Sequence, residues 1–110
     1  MVNNDKHAEN IKLFEELFQD FIREVPLIRV ALRNAVTPRD HKVLAECAGK
    51  IRKHFELLGY EKVVAECQEI ESAAQRKVEI DYYHRVELVD ILTEDATEEM
   101  YDLYSQARGQ

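Results

Sequence analysis

Apolar residues at Ile11, Phe14, Phe18, Phe21, Val25, Ile28, Leu32 and Ala35 follow one another at alternating intervals of three and four, which lays them along one stripe of a single long helix. Pro26 falls inside this run; it removes a backbone donor and crowds the preceding turn, so a kink over 22–26 is expected with the stripe kept in register. Thr37, Pro38 and Asp40 then read as the N-cap, the first helical position and the first-turn acid of a second helix. That helix is expected to turn Leu44, Cys47, Ala48, Ile51, Phe55 and Leu58 inward, and Gly59 supplies a left-handed stop. A third helix places Val63, Val64, Cys67, Ile70 and Ala74 on its buried side and fades over residues 72–77. In the last helix the inner positions are Tyr82, Val86, Val89, Thr93, Ala96, Met100, Leu103 and Ala107. Short connections make consecutive helices antiparallel neighbours, which predicts an all-α, up-and-down four-helix bundle. Its expected core is Phe14, Phe18, Phe21, Leu44, Ile51, Phe55, Leu58, Val64, Cys67, Val86, Val89 and Met100.

Composition agrees with that pattern. A chain of 110 residues is one domain's worth, and three glycines and two prolines are too few for the turns of an all-β fold or a phosphate-cradling loop. One domain over residues 1–110 is expected, with 1–8 frayed or forming a short helix of their own. Twenty-two acidic against fifteen basic residues give a net charge of −7, which disfavours nucleic acid and anionic membrane surfaces and leaves proteins as the expected partners. There is no run of 18 apolar residues and no apolar leader after Met1, so a cytoplasmic chain is the expectation. Cys47 and Cys67 stand about 12 and 8 residues from the turn at Gly59, a mismatch of roughly 6 Å along antiparallel helices, and two buried thiols rather than a bridge are expected.

The stretch from Asp40 through Gly59 to Cys67, Ile70 and Glu71 resembles the histidine-containing phosphotransfer (HPt) domains of multistep two-component relays. Members of that family open the second helix with an acid, carry an Ala-His-x-Leu-Lys-type motif at mid-helix, and end the helix with a glycine ten residues after the histidine. A cysteine and a Leu-Glu-like pair follow on the next helix. Leu17, Phe18, Phe21, Pro26, Leu32 and Ala35 also resemble the family's first bundle helix. The resemblance implies a four-helix phosphorelay module whose partner is a receiver domain of a response regulator or a hybrid histidine kinase. No nucleophile–base pair, metal cluster or phosphate loop is visible in the sequence, so no enzymatic activity of its own, no metal and no cofactor are expected, and a monomer is expected.

Counting ten residues back from Gly59 lands on Gly49, so the phosphate-accepting imidazole is missing. Arg52 keeps the cation of the motif, and Lys53 replaces its small residue. On a helical wheel Lys42, Ala45, Gly49, Lys53 and Glu56 share the face opposite Leu44, Ile51, Phe55 and Leu58. With Arg52 they are the partner-binding residues that the resemblance implies. Position 49 is therefore expected to be open, so that Gly49→His would need no cavity.

Glycine offers no nucleophile, and phosphoryl transfer between an aspartate and a carrier needs an in-line imidazole with a cation beside it. His54 is the alternative acceptor; it lies about 140° around the helix from Gly49, and packing beside Phe55 is its structural reading. His41 is expected on the surface, His7 in the N-terminal segment and His84 on the last helix, all without a catalytic role. The run Lys50, Arg52, Lys53, His54 reads either as a docking patch for an acidic pocket or as cations meeting the helix dipole. Glu15-Glu16, Glu94-Asp95 and Glu98-Glu99 read as solvated faces. Three functions follow: a phosphotransfer-type module that binds a receiver or kinase without carrying phosphate, a working carrier through His54 or with histidine as the natural residue at 49, and a helical adaptor with no signalling role.

Overall fold

The computed structural model describes the backbone of residues 2–109 and the side chains of residues 8–107 and 109. Four helices account for almost all of it: α1 (Val2–Val36), α2 (His41–Leu58), α3 (Glu61–Gln75) and α4 (Tyr82–Arg108). They form an all-α, up-and-down four-helix bundle in which α1 packs on α2 and α4, and α3 packs on the same two from the opposite corner. Residues 2–8, expected to fray or form a helix of their own, instead continue α1. The helix runs on through Pro26, whose ring sits on the exposed side.

The second helix begins three residues later than Thr37 suggests. Residues 37–39 form a turn, Arg39 reverses the chain at φ 56°, and its guanidinium donates to the Val36 carbonyl at 2.6 Å. Asp40 is the N-cap, accepting from the Val43 amide at 3.2 Å, and satisfies one of the unpaired amides of the first turn. Gly59, at φ 82°, ends α2, and the amides of Gly59 and Tyr60 close back on Glu56 and Phe55. Asp81 caps α4 in the way Asp40 caps α2, accepting from the His84 amide at 3.0 Å.

The core is built from Phe18, Phe21, Val25 and Leu32 of α1, Leu44, Ile51 and Phe55 of α2, Val63, Cys67 and Ile70 of α3, and Tyr82, Val86, Val89 and Met100 of α4. Phe14, Leu58 and Val64, expected inside, are half-buried at its margin, and Leu103 is 45% exposed. The helix lengths explain the difference. At about 1.5 Å per residue α1 and α4 span roughly 52 and 40 Å, against about 27 and 22 Å for α2 and α3. Both long helices therefore overhang the turn at Gly59, and Leu103 and Phe14 stand where α2 and α3 no longer cover them.

Each of the four seams between helices carries a polar side-chain pair. Glu24 meets His54 across α1 and α2 at 2.9 Å, Arg52 meets Glu71 across α2 and α3 at 2.8 Å, Glu66 meets Arg85 across α3 and α4 at 3.0 Å, and Asp90 of α4 receives both Arg29 (2.9 Å) and Arg33 (3.0 Å) of α1. Such pairs contribute little energy each when solvated, but they mark which helix faces which.

Candidate functional site

The α2 residues singled out from the sequence do not lie on one open face. Lys42, Lys53 and Glu56 are exposed, Ala45 and Arg52 are half-buried, and Gly49 is buried. Gly49 faces α3, and the side chain of Glu71 leans across it. A Cβ built on Gly49 would stand 2.5 Å from Glu71 Oε2 and 3.3 Å from its Cδ, so a side chain at position 49 collides with the carboxylate. The expectation of an open position 49 is therefore corrected. A wheel drawn on α2 alone counts the flank towards α3 as outward, and glycine carries no hydropathy to signal that this flank is covered.

Arg52 holds the carboxylate in place. Its Nε donates to Glu71 Oε1 at 2.8 Å and one terminal nitrogen to Oε2 at 3.4 Å, while the other terminal nitrogen donates to Glu56 one turn along α2. The hydrogen bond to Glu71, then the one to Glu56, raises the pKa of Arg52 above its ordinary value, so the guanidinium stays charged and its donors are turned to its own chain's acids. Beneath the seam Cys67 is fully buried, and burial pushes its thiol up to about 12. Burial also raises Cys47, and the two thiols are unbridged.

The histidines are placed differently from one another. His54 is turned away from α3 towards α1, where its Nε2 meets Glu24 and its ring stands edge-on to Phe21 at 6.2 Å. Only 18% of its side chain is exposed. His41, expected on the surface, is half-buried with its ring against Tyr82 at 5.9 Å. Its Nε2 is buried with no hydrogen-bond partner among the described residues. The cap at Asp40 makes His41 the first residue of α2, at the point where the chain tucks against the start of α4. His84 is exposed on α4, and the side chain of His7 lies outside the described residues.

A feature that the core stripes conceal lies beside His54. Arg23, Glu24, Leu27 and Ile28 of α1 and Lys50, Lys53, His54 and Leu57 of α2 line an open groove. Leu27 is 73% exposed and Leu57 68%, both large apolar side chains in full contact with water. Glu24 is engaged with His54 and Arg23 with Asp20 at 2.6 Å, whereas no partner is present for Lys50 or Lys53 among the described residues. In a chain of net charge −7, this is an apolar strip with free cations at its edge. The sequence signal for it was available: Leu27 and Leu57 are leucines out of phase with the core stripes of their own helices.

Among the described residues no three histidine, cysteine, aspartate or glutamate side chains converge to hold a metal ion, and no helix is long and apolar enough to cross a membrane. The two flanks of α2 differ in chemistry: a seam where a carboxylate and a guanidinium neutralise one another over Gly49, and an apolar groove whose lysines have no partner among the described residues. Compared with family models, curated proteins and solved structures, the chain matches none of them.

Proposed function

We propose that this chain is a docking module of the phosphotransfer type, one that binds the receiver domain of a response regulator, or a hybrid histidine kinase, and carries no phosphate itself. The observation that carries the reading is the Glu71 carboxylate over Gly49. A phosphocarrier needs a nucleophile in line with the phosphorus and a cation free to offset the charge that develops on its oxygens. At this position there is no nucleophile, the space is filled by an anion, and Arg52 is already engaged by Glu71 and Glu56. His54 does not replace the missing imidazole, because its Nε2 is turned to Glu24 and its ring is packed on Phe21.

Docking rests on the groove. Leu27 and Leu57 offer apolar area to a partner, and Lys50 and Lys53 offer charge to an acidic one such as a receiver's phosphorylation pocket. Incubated with a labelled phospho-receiver, the chain is expected to bind it and take up no label when samples are kept alkaline and unheated, the conditions under which phosphohistidine survives. Lys53→Glu is expected to weaken binding about tenfold, mainly through slower association. Label on His54 that disappears in His54→Gln would establish a working carrier instead. Failure to bind any receiver domain of the same organism would leave the helical adaptor as the better reading.

A further inference from the structure

Glycine is a poor residue for a helix interior, because it gives up more backbone freedom on folding than alanine does. Gly49 is in the middle of α2, in ordinary helical conformation, so no turn requires it. What requires it is the space. The Cβ of any other residue would stand 2.5 Å from Glu71 Oε2. That oxygen is held by Arg52, which donates to both carboxylate oxygens of Glu71 at 2.8 and 3.4 Å and is anchored in turn by Glu56, so making room at position 49 disturbs this pair. The side chains of Arg52 and Glu71 are only 20% and 21% exposed, which shields their charge-assisted hydrogen bonds from water.

We propose that Glu71 is an autoinhibitory plug: its carboxylate, positioned by Arg52, occupies and closes the α2–α3 site above Gly49, and Gly49 is the residue that makes room for it. With the plug seated, an anion arriving from outside, whether a phosphoryl group or an acidic side chain, finds no space and meets a guanidinium already engaged by two acids. With Glu71 swung away, the same place is a pit over α2 with the Arg52 guanidinium on its wall. The missing imidazole is thus only one of two closures, and Gly49→His alone meets the second. The inference concerns the chain's own residues and holds whatever docks on the groove.

The test is a double-mutant cycle read by thermal unfolding. Gly49→Ala should raise the melting temperature in the Glu71→Ala background, where the carboxylate is gone, and give no such rise in the unchanged chain. Arg52→Gln, which frees the carboxylate to move aside, should restore part of the rise. The same rise in all three backgrounds would overturn the proposal.

Discussion

The two flanks of α2 solve opposite problems. Towards α3, a glycine, a carboxylate and a guanidinium interlock until nothing protrudes and no charge is unmatched. Towards α1, two leucines stand in water and two lysines have no partner among the described residues, although His54 and Glu24 form a pair beside them. On the function proposed above, the second arrangement serves a partner and the first shuts out a phosphoryl group. The contrast teaches that charge alone does not identify a site. Arg52 and Lys53 are adjacent cations on one helix, and Arg52 has two acids of its own chain against it where Lys53 has none among the described residues.

The largest effect comes from removing the wall that the two flanks share. Phe55 is fully buried and meets Phe21 of α1 and Tyr60 at the start of α3 edge-on at 5.1 and 5.7 Å. Phe55→Ala is expected to cost about 3–5 kcal/mol in urea unfolding, and a loss under about 1 kcal/mol would show that the flanks do not rest on it. Alkaline pH comes next and acts on the closed flank. The Cys67 thiol is held neutral by burial with its pKa raised from 9.0 to about 12, and Tyr60, raised from 10.0 to about 12 by burial and then by its bond to Glu99, behaves in the same way. The protonated forms are the ones the fold favours. Their contribution is therefore complete below the unfolded pKa values and disappears as pH rises from about 9 to about 12. The urea midpoint should fall across that window, and it should fall less in Cys67→Ala.

Substitution of the two neighbouring cations separates the flanks more finely. Arg52→Ala leaves the Glu71 carboxylate without its partner in a partly buried place and is expected to cost about 1–2 kcal/mol. Lys53→Ala, on the exposed side, should change stability by less than about 0.5 kcal/mol while weakening partner binding. Equal stability effects at the two positions would dissolve the comparison. The smallest effect is expected at the His54–Glu24 pair, where Glu24→Gln should cost under about 1 kcal/mol by the same measurement.

The bundle was legible because its signals are periodic and redundant. Seven intervals of three and four along α1 survive the insertion of Pro26, and the glycine that stops α2 does so through the positive φ expected of it. Asp40 was legible as a start signal but not in its role: the tight turn at Arg39, a non-glycine residue at positive φ, moves the cap from Thr37 to Asp40. The site was harder to read. Periodicity assigns a residue to an inside or an outside, and Gly49 is on neither; it is covered by the end of a charged side chain from another helix. Glu71 reads in the sequence as a match to a motif, and nothing in a single helix's pattern says over which residue its carboxylate will fold. The groove is hidden for the opposite reason, since Leu27 and Leu57 fall outside the core stripes of their helices.

The unequal lengths of the helices have a consequence for how the molecule opens. Beyond the turn at Gly59 the long helices pack on each other among the described residues, joined by Phe18 against Tyr101 at 5.0 Å and against Tyr104 at 5.4 Å, with Phe14 stacked alongside at 5.9 Å. Amide hydrogens of residues 9–13 and 103–107 are therefore expected to exchange with deuterium through local separation of two helices, while those around Leu32, Ile51 and Val86 wait for the whole domain to unfold. The aromatic group at Phe18 is the boundary between these regimes. A protein with a four-helix body and a two-helix overhang carries its stability as a gradient along its length.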